Sequence, residues 1–325
     1  MREPASEEPP RRVHVSLFPA ASPAMSAGAT TTARRHRSDP AAGLRSSAAD
    51  AAASHRPTTE SQGTQMEPRH GRDQGDNADY PWDDFDSAGY FAHNYRELRH
   101  DDQQILESVR DFFWKADRAA GLRETADERS VRGLDLGSGS NLYPALSMLP
   151  FCTELTLWEY SARNTEWLRA EVKSYGPSWD RFWQRLELVP AYQAVSDPRQ
   201  ALADRATVHQ GSVFELPAAA WDIGTMFFVA ESLTSSPAEF RAATHRFVAA
   251  LRPGAPFAAA FMENSTGYDV GDRRFPAVAV TAETVRGCLE DVSRSLDVQR
   301  IDSGNNPLRD GYSGMILVMG TAGAG

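Results

Sequence analysis

Gly137, Ser138 and Gly139 precede Glu159 by about 20 residues, and residue types at that spacing can hold a nucleoside. Glycine lacks a Cβ, so the pair lets the chain turn sharply and come close to a ligand. A carboxylate at the tip of the next strand can accept hydrogen bonds from both ribose hydroxyls. Absent residues narrow the ligand. A dinucleotide turn needs a third glycine, so that the helix packs beside the pyrophosphate, and that position is Leu142. No lysine follows the turn, so the phosphate-cradling loop of nucleotide triphosphatases is absent too. An adenosine ligand without phosphates is left, of which S-adenosylmethionine is the common one. The plain alternative is a tight turn in some other α/β protein.

These residues must be positioned by a strand, a turn, a helix and a second strand. Val131, Leu134 and Leu136 lead into the glycines, a helix is expected from about Ser140, and Leu155, Leu157 and Trp158 end at Glu159. The pattern then repeats. A helix completes over Thr165 to Tyr175, and strands follow at about Ala206 to Val213, within WDIGTMFFVAESL and within PFAAAFMEN. Helices are expected from Pro237 to Leu251 and from Thr281 to Val292. Leu296–Ile301 and Gly314–Met319 read as a closing antiparallel pair. WDIGTMFFVAESL is the most apolar run and belongs at the sheet centre. The fold class is therefore α/β: a doubly wound, Rossmann-like sheet, mostly parallel with an antiparallel C-terminal strand pair, binding ligands at the strands' carboxyl ends. An inserted helix is expected within about 176–205, where Trp179, Phe182, Trp183 and Leu186 recur at helical spacing. Such a stripe is either a pocket wall or, more commonly, core.

Composition divides the chain. Residues 1–79 contain ten arginines, ten acids and no lysine among Ala, Ser, Thr, Pro and Gly, without sustained periodicity. Such a segment cannot bury enough apolar surface to order itself, so a disordered leader is expected. The arginines suit a transit peptide but the acids do not, and translation from Met25 or Met66 is a second explanation. The globular domain is assigned to 80–325, with an N-terminal segment and amphipathic helix over 80–114 and a nucleotide-binding core over 131–321. It carries 24 basic against 34 acidic residues, and hence the chain's whole net charge of −10, which argues against a nucleic-acid partner. Cys152 and Cys288 lie in apolar surroundings, as buried thiols of a reducing compartment do, and no metal-ligand spacing occurs. No apolar run is long enough to span a bilayer. A cytoplasmic monomer with no membrane partner is expected.

The stretches LDLGSGSNLYPAL, WEYSARN and GYFAHNY, with the order of the later strands, resemble the family of small-molecule methyltransferases that includes nicotinamide, phenylethanolamine and thioether methyltransferases. The resemblance runs from about Phe85 to Met319, and the Ala/Arg-rich composition suits a bacterial branch. It implies an S-adenosylmethionine-dependent enzyme that methylates a nitrogen, sulfur or oxygen of a small molecule. Tyr90 and Tyr95, which read by themselves as a hydrophobic clamp, become a lid over the cofactor. Gly137, Ser138 and Gly139 meet its methionine part, with Tyr143 a few residues on. Glu159 takes the place of a ribose-binding aspartate and Asn164 lies beside the adenosine. Ser212 stands where the family has an aspartate reading the adenine amino group, Val213 packs on the adenine, and Phe227 replaces a small polar residue near the methionine end. On the acceptor side, Ser265 and Tyr268 match. The family member's amine-binding acid has no match, which leaves Glu231 and Glu263 either as substitutes for it or as solvated strand-end charges. Transfer from a sulfonium needs positioning more than side-chain chemistry, so no catalytic residue is assigned beyond positioning. The alternatives are a cofactor-binding regulator without turnover and a nicotinamide-dependent oxidoreductase.

Overall fold

A computed structural model describes residues 77–123, 130–303, 308 and 312–324. Among them, seven strands form one sheet: β1 (Arg132–Leu136), β2 (Glu154–Glu159), β3 (Ala206–Gln210), β4 (Ile223–Phe227), β5 (Pro256–Glu263), β8 (Ser293–Ile301) and β9 (Gly314–Ala322). Their order is β3-β2-β1-β4-β5-β9-β8, so the apolar run chosen as the centre, β4, is the middle strand. β1 to β5 pair in parallel, and β9 runs antiparallel to both β5 and β8. Alternation along the strands feeds two cores. Leu134, Leu136, Met226 and Phe257 pack with Phe240 and Phe247 of helix Pro237–Ala250 and Val285 of helix Ala282–Leu289. Leu155, Leu157, Ile223 and Ala258 pack on the opposite face with Ile105, Leu106, Val109 and Phe113 of helix His100–Ala120. Strand order reverses between β1 and β4, and a crevice opens at their carboxyl ends.

Boundaries moved where local chemistry overrode periodicity. The helix after the glycine turn begins at Tyr143 instead of Ser140, because Gly139 is left-handed at φ 57° and the Asn141 side chain accepts the Tyr143 N–H (3.1 Å). In the insertion, helix Ser178–Leu186 buries Trp179, Phe182, Trp183 and Leu186 in the same core as helix His100–Ala120. The aromatic stripe is core and not a pocket wall. Three features were not anticipated: helix Ser87–Asn94, capped by the Asp86 side chain on the Gly89 N–H; two short helices over Pro190–Gln193 and Pro198–Arg205; and a hairpin of β6 (Tyr268–Val270) and β7 (Arg273–Phe275). The leader expected over 1–79 lies, up to residue 76, outside the described residues. Asn77 to Asp79 are folded, and Asn77 is buried with its N–H donating to Glu239 (3.2 Å).

Candidate functional site

The cleft at the carboxyl ends of β1, β2 and β4 is built on hydrogen bonds that join the glycine turn to the acidic strand end. Gly137, at φ 65°, donates its N–H to the Trp158 carbonyl (2.6 Å), and Gly139 donates to Glu159 Oε2 (2.8 Å). The other oxygen, Oε1, accepts the Ser161 N–H (2.8 Å) and lies 3.4 Å from Asn164 Nδ2. One carboxylate thus fixes both the turn and the start of helix Ala162–Glu171. Each of its oxygens keeps lone-pair capacity for a ligand hydroxyl. Burial pushes the Glu159 carboxyl above its ordinary value, while the N–H groups of Ser161 and Gly139 pull it back. Below the turn, Asp135 accepts from the Thr225 hydroxyl (2.8 Å); burial chiefly, with repulsion from Glu159 as a lesser cause, pushes its carboxyl up to about 7.

Tyr90, Tyr95, Gly137, Ser138, Gly139, Glu159, Asn164, Val213, Phe227 and Tyr268 all line this cleft. Five other sequence candidates do not. Tyr143 lies behind the wall, fully buried, stacked on Phe182 with its hydroxyl on Asp102 (3.1 Å), and it supports Tyr95 edge-on at 6.0 Å. The Ser212 hydroxyl accepts the Phe214 N–H (3.3 Å) as a helical cap and borders a neighbouring, open groove. Glu231 is buried and ties the turn after β4 to β5, accepting the Met262 N–H (2.9 Å). Glu263 pairs with Arg300 (2.7 Å) and the Ser313 hydroxyl (2.7 Å). Ser265 is fully buried and off the wall. Neither acid, then, faces the cleft as an amine-binding group, and neither is a solvated charge.

Residues that the sequence did not single out complete the site. Gly211 lies where an added Cβ would stand 2.7 Å from the Trp158 ring, and a glycine directly after β3 was a readable signal for it. Phe228, held at φ 60°, carried no such signal, since an L-residue with a large side chain rarely adopts that conformation. Tyr160, 41% exposed, edges the cleft beside Glu159.

Two distant segments roof the cleft. Trp82 and Phe85 meet Phe275 of the hairpin at 5.1 and 5.2 Å, and Tyr90 meets Tyr268 at 6.4 Å. The first segment is tied to the sheet side by Ser161 Oγ donating to the Trp82 carbonyl (2.7 Å), the Ala162 N–H to Asp83 (2.8 Å) and the Ser87 hydroxyl to Asn164 (2.6 Å). It is tied to the hairpin by the exposed Arg273–Asp84 pair (2.9 Å). Under this roof the cleft holds about 120 Å³, less than the roughly 300–1,000 Å³ usual for small-molecule sites. Hydrogen exchange across Asp84 to Arg99 is expected to slow when S-adenosylmethionine is added, as the roof settles on it. Protection that is already complete without it, measured by mass spectrometry, would mark the roof as a permanent clamp.

No curated protein sequence matches the chain. Solved structures similar to it include the N-methyltransferase NodS from Bradyrhizobium japonicum WM9 with S-adenosyl-L-homocysteine (12% identity, 69% of this chain and 88% of that one, TM-score 0.39). An S-adenosylmethionine-dependent methyltransferase from Methanosarcina mazei shows 14% identity over 60% of this chain and 92% of that one, with a TM-score of 0.42. The 1,6-didemethyltoxoflavin-N1-methyltransferase of Burkholderia thailandensis shows 16% identity over 68% and 88%, with a TM-score of 0.37. These likenesses are loose, and the assignment rests on a family model that spans most of the chain. That model, described as the NNMT/PNMT/TEMT family, matches residues 75–321, and the chain belongs to this family of S-adenosylmethionine-dependent methyltransferases.

Proposed function

We propose that the cleft binds S-adenosylmethionine with Glu159 on the ribose, and that the chain methylates a nitrogen, sulfur or oxygen of a small molecule placed under the aromatic roof. The observation that carries this reading is the Glu159 carboxylate, which is buried, fixed by two backbone N–H groups, and joined through Gly139 to the turn beneath the ligand. Bound S-adenosylmethionine supplies an electrophilic methyl group on a cationic sulfur. The residues contribute the rest. Gly137 and Gly139 let the backbone approach the methionine part, while Val213 and Tyr160 border the adenine end. Tyr90, Tyr95 and Phe227 enclose the methionine end with rings, which attract a cation and exclude water. The chain's work is to hold an acceptor atom in line with the methyl carbon, at roughly 3 Å.

Two free, buried cysteines, whose thiols burial pushes up, accord with a reducing compartment such as the cytoplasm; among the described residues no helix is long and apolar enough to cross a membrane. The deciding experiment is calorimetric titration with S-adenosylmethionine, S-adenosylhomocysteine and NAD, followed by a methyl-acceptor screen. One-to-one binding of the first two, no heat from NAD, and methyl transfer to at least one acceptor are expected. Binding without transfer to any acceptor would point to a non-catalytic cofactor-binding protein, and a preference for NAD would overturn the reading.

A further inference from the structure

At the adenine end the cleft adjoins a wide groove. The two share Asn77, Trp82, Tyr160 and Gly211, and the groove continues between Tyr80 and Pro81 on one side and Ser212 and Phe214 on the other. It holds about 590 Å³, against about 120 Å³ for the cleft. Its walls are largely aromatic, with Tyr80 meeting Trp82 edge-on at 6.1 Å. Tyr90, Tyr95 and Phe227, which enclose the methionine end, are not among those walls. Whatever enters the groove from the cleft therefore enters from the adenine side.

With Glu159 on the ribose, the far edge of the purine points away from that carboxylate, and this edge carries the amino group. A site that grips the amino group presents an acceptor there, best of all a charged one. The acceptors nearby have other work. Ser212 Oγ accepts the Phe214 N–H (3.3 Å), and the Ser212 carbonyl accepts from Trp158 Nε1 (3.2 Å). Glu159 is the one acid among the described residues that line the cleft. Asp83, Glu215 and Glu239 line the groove instead, and each holds a backbone N–H: those of Ala162 (2.8 Å), Ser212 (3.2 Å) and Asn77 (3.2 Å). These acids brace the walls of the groove and put no carboxylate on the wall of the cleft.

We propose that the groove extends the cofactor site: it leaves the amino nitrogen of adenine, N6, unclasped and takes a flat aromatic substituent on it. The ligands of this class are N6-arylmethyl derivatives of S-adenosylmethionine and of its demethylated product. The inference rests on the S-adenosylmethionine reading of the cleft. No bond changes in the groove; the substituent lies between its rings while ribose and methionine keep their places. A site with a carboxylate on the amino group and a wall closed behind it would reject the same substituent by collision.

The test is calorimetric titration of the full chain with S-adenosylhomocysteine and with its N6-benzyl derivative. The derivative is expected to bind within about threefold of the parent, or more tightly, since its ring meets Tyr80, Trp82 and Phe214. Ala78→Trp brings an indole into the groove from an exposed position that the cleft does not share. It should weaken the benzyl derivative by roughly tenfold, as a filled pocket does, and leave S-adenosylhomocysteine unchanged. Wild-type protein that binds the derivative more weakly than expected would overturn the proposal, and this comparison decides even if the variant fails to fold. Ala78→Trp weakening both ligands alike, or neither, would overturn it as well. A wild-type protein that fails to bind S-adenosylhomocysteine would remove the cofactor reading itself, whereas binding of the parent with exclusion of the derivative would sink only the role of the groove.

Discussion

Replacing Glu159 with alanine is expected to weaken S-adenosylmethionine binding by roughly 1.5–3 kcal/mol, the usual loss when a charged hydrogen-bond acceptor is removed. The effect has two sources. Truncation removes the acceptor proposed for the ribose hydroxyls, and it strands the N–H groups of Gly139 and Ser161, which Glu159 now accepts at 2.8 Å each. The turn beneath the methionine part loses its tether to the strand that carries the ribose. Glu159→Gln separates these sources, because the amide keeps one carbonyl oxygen and roughly the same shape. It should retain more affinity than alanine and less than the wild type. Calorimetry showing unchanged affinity in Glu159→Ala would reject the ribose assignment.

The other large effect is expected at Gly137. An alanine Cβ there would stand 2.5 and 2.6 Å from the two γ-carbons of Val229, and the residue sits at φ 65°, where an L side chain is strained. Left-handed strain costs about 1–2 kcal/mol and overpacking about 1–3. With a domain of this size losing roughly 2–4 °C per kcal/mol, Gly137→Ala should lower the melting temperature by about 5–15 °C. Gly139 is the control. It is also left-handed, at φ 57°, but the nearest heavy atom to an added Cβ is 3.8 Å away, so Gly139→Ala should show only the backbone strain. A variant at Gly139 that melts lower than the one at Gly137 would contradict this account of the turn.

What was legible in the sequence is what local chemistry determines. The glycine turn, the acid at the tip of β2 and the apolar middle strand each follow from residues within a few positions of one another, and each stands where expected. The roof was only half legible. GYFAHNY pointed to Tyr90 and Tyr95, but the hairpin that meets them has strands of three residues, too short for an alternating pattern to show, and it joins the roof from nearly 200 positions along the chain. Glu231 and Glu263 were misplaced for a related reason. Nothing near either in the sequence shows that the Met262 N–H occupies one and Arg300 the other. The insertion illustrates the converse, since an aromatic stripe there proved to be core.

The roof's construction bears on what paces the protein. Its two pieces are short, they meet through a few rings and one exposed ion pair, and no sheet hydrogen bonds join them. A roof that parted to admit reactants and again to let products go would carry an aromatic surface through solvent each time. Chemistry in a closed chamber is indifferent to the thickness of the surrounding medium; a flap swept through that medium is not. Where the opening of such a covering paces turnover, kcat falls as solvent viscosity rises.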